Sequence, residues 1–229
     1  MNGTPTLQAG EPSHFYLHIL STIRDKRSQA RFMDRRRLLA VAAGEHGWNQ
    51  IAVCSSLTGD PTQFLEVYDY QGTESVSTAK QHLENHPFFQ EMVPLSLERK
   101  ATLLSRLPYA PHTPPPRESI DRQHFLHVSL TVKDGRVDLF SLEMQKVMDT
   151  FVNEVQWQLV AAGESLCPPY PVMHLWALKD ANMLDSLMLM LAEDDEYVWI
   201  NNNTVQRQDL MHGIFARPPH KPPRPEGSP

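Results

Sequence analysis

An internal repeat constrains the fold of this chain more than any other sequence feature. Shifting the sequence by 109 residues lays residues 16–27 (YLHILSTIRDKR) over residues 125–136 (FLHVSLTVKDGR) without a gap. The same shift places Trp48 over Trp157. One offset that recurs over separate blocks indicates a duplicated unit. We therefore expect the 229-residue chain to fold as two copies of one structure.

Each copy carries the same order of secondary-structure patterns. An alternating, β-rich segment precedes a segment with helical spacing, and two strands, a second helix and a last strand follow. This order, βαββαβ, is the ferredoxin-like plan, whose sheet carries helices on one face only. The other face needs a cover, so we predict an α+β fold in which two tandem ferredoxin-like repeats form an intramolecular α/β barrel. The predicted strands are 16–22, 50–56, 63–70, 101–108, 158–164, 171–178 and 209–216, and the predicted helices include 28–43, 74–86 and 182–193.

Proline-rich segments predict the boundaries of the two copies. Residues 1–13 are rich in Gly, Pro, Thr and Ser, and the tail 218–229 carries too little apolar surface to fold, so both are expected to be disordered. Residues 111–122 contain prolines that disfavour helix and central strand, which predicts a linker. The repeats are then residues 14–110 and 123–217.

Composition excludes several classes of function. The net charge of −6 and the pI near 6.0 argue against binding to nucleic acid or to a membrane. The two cysteines, Cys54 and Cys167, form no CxxC pair, and no apolar run is long enough to span a bilayer. The chain is therefore predicted to be cytoplasmic. GxGxxG, P-loop and GxSxG motifs are also absent.

Alternation along the first strand separates an aliphatic face from a mixed one. Leu17 and Ile19 are expected to pack under the helices, and His18 on the opposite face is expected to point into the barrel. The pairing of central strands predicts that His18 approaches Glu66 and that His127 approaches His174. The candidate catalytic residues are His127, His174, His18 and Glu66, and the candidate substrate-binding residues are Tyr16, Tyr68, Trp176, Phe125, His212 and Ser129.

Histidines beside a carboxylate suit acid/base chemistry, because imidazole titrates near neutral pH. Two other interpretations stay open. The polar groups can satisfy one another across a sheet–sheet interface, or His127, His174 and His212 can hold a metal ion. The predicted site contains no metal and no cofactor.

The paired βαββαβ plan, with the strand VMHLWAL (172–178) followed by a helix and a short aromatic segment, resembles the dimeric α/β-barrel superfamily. Within it the pattern most resembles NIPSNAP-like proteins and, less closely, antibiotic-biosynthesis monooxygenases. The resemblance implies two facing sheets, here by duplication. Members of this superfamily include oxygenases that act on aromatic polyketides without a cofactor, as well as cyclases, isomerases and haem-degrading enzymes, and the resemblance implies an activity of this kind. In several such relatives the site lies between sheet and helices.

These observations favour an enzyme of secondary metabolism that binds a hydrophobic or aromatic small molecule. It would be a cyclase, an isomerase or a cofactor-independent monooxygenase. The alternatives are a non-catalytic NIPSNAP-like binding protein and a haem- or metal-binding barrel, and a homodimer is possible. The second repeat has His174 where the first has Glu66, so a single active site is expected in the second repeat.

Overall fold

The computed structural model describes residues 15–56, 62–111, 124–154, 158–178, 189, 192–209 and 214–216. The strands are β1 (Phe15–Ile23), β2 (Trp48–Ser56), β3 (Gln63–Tyr70), β4 (Ser96–Arg106), β5 (His124–Val132), β6 (Gln158–Ser165), β7 (Val172–Leu178), β8 (Val205–Asp209) and β9 (Ile214–Ala216). The helices are α1 (Lys26–Glu45), α2 (Val76–Asn85), α3 (Pro87–Met92), α4 (Val137–Glu154) and α5 (Asp195–Thr204), with a 3₁₀ turn at Val93–Leu95.

The two halves repeat one order of elements, as the sequence predicts. The first half runs β1-α1-β2-β3-α2-α3-β4, and the second runs β5-α4-β6-β7-α5-β8-β9. Most of the helix expected at 182–193 lies outside the described residues, and α5 stands where α3 stands in the first half. The last strand of the second half is built from two short pieces, β8 and β9, that pair with different parts of β5.

The strands form a closed ring in which each half completes the other. The order is β7-β6-β4-β1-β3-β2-β9-β5, and β5 pairs again with β7 to close it. Two of these pairings join the halves. In the first, Leu104 on β4 lies opposite Ser165 on β6, and in the second, Ser55 on β2 lies opposite Ala216 on β9. The α+β barrel within a single chain is confirmed.

Helix starts follow ordinary capping rules. The side chain of Asp25 accepts a hydrogen bond from the backbone N–H of Ser28 at the start of α1, and Ser75 caps α2 in the same way through Thr78. Helix α1 then buries Phe32 and Leu39 against the first sheet, in one cluster with Leu17. Burial of each such side chain stabilises the fold by roughly 1.5–3 kcal/mol.

Strand register decides which side chains enter the barrel. Leu17 packs under the helices and Tyr16 points to the interior, as predicted. On β3 the expected faces are wrong. His18 lies opposite Val67, and Ile19 lies opposite Glu66. Directly opposed residues share a face, so Val67 points into the barrel and Glu66 points towards the helices.

Candidate functional site

The predicted site residues are separated into three layers. His18 and His127 lie inside the barrel, Glu66 lies between the first sheet and its helices, and His174 lies between the second sheet and its helices. The register places His174 opposite Val128 and His127 opposite Leu175, so the two histidines project from opposite faces. The predicted contacts of His18 with Glu66 and of His127 with His174 are therefore wrong.

Inside the barrel the two histidines contact each other. Nε2 of His18 lies 2.9 Å from Nε2 of His127, and the rings stack with their centroids 4.7 Å apart. One ring must donate its Nε2–H and the other must accept it, because two N–H groups cannot face each other at this distance. Nδ1 of His127 is buried and has no hydrogen-bond partner in the described part of the chain. The free-energy cost is lowest when His127 carries its proton on Nε2 and donates it to His18. Nδ1 of His127 then carries no proton, so no buried N–H group on this ring lacks an acceptor.

Burial keeps both rings neutral. It lowers the pKa of His127 to about 4, and it lowers the pKa of His18 well below its usual value, with a further contribution from the nearby His127. Tyr16, Phe125 and Ser129 lie inside the barrel as predicted, whereas Tyr68 and Trp176 point towards the helices, so their predicted place in the barrel is wrong. Tyr16 is buried opposite Asp69, and burial raises the pKa of Tyr16 to about 12. Phe125 and Ser129 lie two residues before and two residues after His127 on β5, so their side chains share its face of the sheet.

Between the first sheet and its helices, Glu66 is the centre of a buried polar network. Its Oε2 accepts a 2.7 Å hydrogen bond from the hydroxyl of Tyr68, which accepts a 2.9 Å bond from the side-chain amide of Gln50. Its Oε1 lies 3.4 Å from Nη1 of Arg99, which also donates to Oγ of Ser21 at 2.8 Å. The side chains of Glu66 and Arg99 are 0% and 4% exposed, so this ion pair is shielded from water.

Aromatic rings hold Arg99 in place. Its guanidinium carbon lies 4.5 Å from the ring centroid of Phe89 on α3 and 5.7 Å from that of Phe32 on α1. Burial, followed by the charge of Glu66, raises the pKa of Tyr68 well above its usual value, so the phenol stays protonated and keeps donating. Nε of Arg99 is buried and has no hydrogen-bond partner among the described residues, so the guanidinium is only partly satisfied. The buried pairing of its Nη1 with Glu66 is typical of a structural ion pair.

Between the second sheet and its helices lies a tyrosine–histidine pair. The hydroxyl of Tyr109 lies 2.7 Å from Nε2 of His174. The ring of Phe140 on α4 stacks at 6.1 Å from His174, and Trp176 stands edge-on at 6.0 Å. Tyr109 belongs to the turn after β4, where the backbone N–H of Leu107 donates to Ala162 of β6. The first half thus delivers a side chain to the helix layer of the second half.

The environment fixes the protonation states of this pair. Burial lowers the pKa of His174 to about 3, with a smaller contribution from His127. Burial also raises the pKa of Tyr109 well above its usual value. At neutral pH the site therefore holds a neutral imidazole and a neutral phenol. The phenol donates to Nε2 when His174 carries its proton on Nδ1, and it accepts in the other tautomer.

Sequence reasoning missed the residues that decide these sites. Tyr109, Arg99 and Gln50 are absent from the predicted site, although they contact His174, Glu66 and Tyr68 respectively. The sequence signal for Tyr109 was its position between the end of β4 and the proline-rich linker, where the chain leaves the first sheet. His212 lies outside the described residues. A metal ion cannot be held jointly by His127 and His174, because the two side chains leave the sheet on opposite faces.

Comparison with known proteins supports the fold. No family model and no curated protein sequence matches the chain. A candidate monooxygenase from Lactobacillus acidophilus NCFM matches with a TM-score of 0.61 at 13% identity, over 90% of this chain and 96% of its own. An anthrone oxidase-like protein matches with a TM-score of 0.62 at 10% identity, over 86% and 93%.

Shorter structures match one half only. A NIPSNAP family protein from Agrobacterium tumefaciens str. C58 covers 44% of this chain and 99% of its own at 15% identity, with a TM-score of 0.35 that supports no argument. Among the described helices, none is both long and apolar enough to cross a membrane.

At sequence identities of 13% and 10%, the two full-length matches establish the architecture alone. The chain has the fold of the dimeric α/β-barrel superfamily, with both halves of the barrel contained in one polypeptide.

Proposed function

We propose that this chain is an enzyme of small-molecule metabolism whose active site lies between the second sheet and its helices. The observation that carries the proposal is the 2.7 Å contact between Tyr109 and His174. Two groups capable of proton transfer meet there, and their environment keeps each one neutral. Pairs of titratable groups held in defined states by burial are typical of acid/base sites.

The surroundings of the pair favour an aromatic or hydrophobic substrate. Phe140 and Trp176 present their rings to His174 from α4 and β7, and Tyr109 meets Phe140 edge-on at 6.4 Å. Aromatic walls with a few polar groups are the usual lining of a site for a planar, apolar ligand. A polyketide-like or other aromatic molecule fits this chemistry.

The pair can remove a proton from such a molecule. An acidic C–H or phenolic O–H of the substrate transfers its proton to the neutral imidazole of His174, which leaves an enolate or phenolate beside an imidazolium. In a buried site the imidazolium and the substrate anion attract each other strongly. This attraction offsets the low pKa that His174 has when no substrate is bound. The imidazolium has no lone pair left, so the hydroxyl oxygen of Tyr109 accepts an N–H from His174 and its O–H donates to the substrate anion. The anion is the species that cyclises, isomerises or reacts with dioxygen in the three candidate reaction classes.

The other two layers support this assignment by contrast. His18 and His127 direct their Nε2 atoms at each other in the middle of the barrel. Glu66 is satisfied by Tyr68 and Arg99. Nε2 of each histidine and the carboxylate of Glu66 are thus already paired, and Nδ1 of His127 is a lone acceptor enclosed in the barrel. Tyr109 and His174 also pair, but the hydroxyl comes from a turn residue that is only partly buried, and a turn can yield to a ligand more readily than a central strand.

The test is turnover of an anthrone panel, chosen because one structural match is described as anthrone oxidase-like. Product absorbance and dioxygen consumption are followed for wild type, Tyr109→Phe and His174→Gln. We expect kcat to fall about 100-fold or more in both variants, the usual loss of a general acid or base. Tyr68→Phe is the matched control, since it removes the hydroxyl from the corresponding layer of the first half. Wild-type kcat in Tyr109→Phe and His174→Gln, or an equal loss in Tyr68→Phe, would refute the assignment.

One observation favours a second candidate, a non-catalytic binding protein. The Tyr109–His174 bond satisfies both groups as a structural hydrogen bond would. Such a protein would bind members of the panel, seen as quenching of tryptophan fluorescence, and leave them unchanged.

The homodimer, the cytoplasmic location and the boundaries of the two repeats stay predictions. Light scattering measures the molar mass in solution and so checks the homodimer.

A further inference from the structure

Two histidines and a glutamate converge between the end of α1 and helix α2, outside the three layers described above. His46 caps the end of α1, Glu74 precedes α2, and His82 lies in the last turn of α2. Nδ1 of His46 lies 3.8 Å from Oε1 of Glu74, and Nδ1 of His82 lies 3.4 Å from Oε2 of the same carboxylate. One ligand-type atom from each of the three residues lies within 4.8 Å of the others.

The backbone assembles this cluster without help from an ion. Gly47 has a φ of +79°, and a Cβ atom there would lie 2.4 Å from Cα of Gly72, so the two loops touch through their glycines. The backbone N–H of Gln71 donates to the carbonyl of Gly47 at 2.8 Å. The hydroxyl of Tyr70 donates to the backbone carbonyl of Glu74 at 2.7 Å. The loop that carries Glu74 is thereby fastened to the end of α1.

The spacing is close to what a zinc ion requires. Zinc binds imidazole nitrogen and carboxylate oxygen at about 2.0–2.2 Å, and a tetrahedral angle then separates neighbouring ligand atoms by roughly 3.3–3.6 Å. The 3.4 Å and 3.8 Å contacts run to different oxygens of Glu74, and one ligand atom from each residue lies within 4.8 Å of the others. Side-chain rotations must therefore shorten these separations by up to about 1.5 Å to reach the tetrahedral value. The side chains of His46, Glu74 and His82 are 35%, 32% and 48% exposed, which lets water supply the fourth ligand.

An ordinary surface ion pair explains the arrangement less well. As an ion pair, one carboxylate between two histidines needs two imidazolium rings, whose centroids here are 5.0 Å apart and whose charges repel. Neutral rings could donate Nδ1–H to the carboxylate instead, but Nδ1 of His46 lies 3.8 Å away, beyond hydrogen-bond distance. Neutral imidazoles that direct Nδ1 at a shared point present lone pairs to it, which is what a cation needs. Exposed ion pairs also contribute little to stability, so they give little reason for this convergence.

We propose that His46, Glu74 and His82 bind one divalent transition-metal ion, with zinc as the best fit. Two histidines, one carboxylate and water form a set that zinc accepts in proteins. The ion fastens the end of α1 to α2 across two loops. The site lies outside the Tyr109–His174 layer, so the proposal is independent of the proposed function.

Binding is measured on the full chain, purified without a histidine tag, by calorimetric titration with zinc chloride and by absorption after cobalt addition. We expect one zinc per chain, d–d absorption bands of cobalt in a low-coordinate site, and a rise in Tm on zinc addition. Glu74→Gln and His82→Asn are expected to weaken binding at least tenfold and to abolish the rise in Tm. His112→Ala removes an imidazole elsewhere in the sequence and is expected to leave all three readouts unchanged.

Circular dichroism of each variant without zinc checks that the fold is retained. If either cluster variant unfolds, the milder His46→Gln replaces it in the same titration. Absence of saturable zinc binding to wild type would overturn the proposal. Binding that is as tight in Glu74→Gln and His82→Asn as in wild type would overturn it equally.

Discussion

His18 contacts His127, its own counterpart in the repeat, through a 2.9 Å approach of their Nε2 atoms. A residue can touch its own counterpart only near the axis that relates the two copies. The pair therefore marks the pseudo-two-fold axis of the barrel, where strands β1 and β5 face each other across the interior. Two neutral imidazoles can share one proton there, whereas two charged ones would repel.

This relationship predicts how stability depends on pH. The pKa of His127 is about 4 in the folded chain and near 6.5 in the unfolded chain, and those of His18 and His174 are also lowered. The unfolded state then binds more protons below pH 6.5, so stability is fully present above pH 6.5 and falls as the pH drops towards 4. With folded pKa values of about 4 and about 3, His127 and His174 each cost about 2 kcal/mol at pH 5, and His18 acts in the same direction.

Urea unfolding between pH 7.5 and pH 4.5 measures this effect. The His18→Leu/His127→Leu double variant removes two of the three groups, and its free energy of unfolding should fall distinctly less over the same range. The same pH slope in wild type and in the double variant would mean that these histidines are not responsible for it.

A second prediction concerns the ion pair of Glu66 and Arg99. Glu66→Gln keeps the shape of the side chain but leaves the buried guanidinium without a counter-charge, and we expect a loss of about 3–5 kcal/mol of unfolding free energy. Replacing both partners in Glu66→Met/Arg99→Met removes the buried charges together and should recover most of that loss. Chemical denaturation gives both values. Additive losses in the double variant would show that the two side chains do not interact.

A third prediction tests the contact between the loops around Gly47. Gly47→Ala places a Cβ against the backbone of Gly72 and forces a positive φ on alanine, which should cost about 1–3 kcal/mol. Gly44→Ala is the matched control, since a Cβ there meets nothing within 4 Å and alanine favours the helix. The control should be neutral or slightly stabilising in thermal unfolding. Equal Tm values for the two variants would contradict the packing of these loops.

The sequence predicted the fold well because the repeat made each pattern appear twice. Strands β1, β2 and β3 and helices α1 and α2 lie within two residues of their predicted bounds, whereas β4 begins five residues early and α3 was not predicted. The pairing of the halves followed from a sheet with one bare face. The last strand of the second half is the exception, because it is divided between β8 and β9.

The candidate site was harder to predict because alternation shows which residues share a face but not which face that is. Assigning Glu66 to the barrel was wrong for this reason, since only the register of β1 with β3 decides the question. Arg99, the partner that lets a carboxylate lie beneath the helices, is 33 residues away in sequence. Tyr109 reaches His174 only because β4 continues onto the second half, a pairing that no local pattern shows.

The fusion of both halves has an evolutionary consequence. When two identical chains form a barrel, every substitution appears twice, and the two helix layers must remain alike. In this chain the layers are encoded separately, so one retains the Glu66–Arg99 ion pair while the other carries Tyr109 and His174. Because a substitution in one half leaves the other half unchanged, the two helix layers of such a barrel can diverge independently.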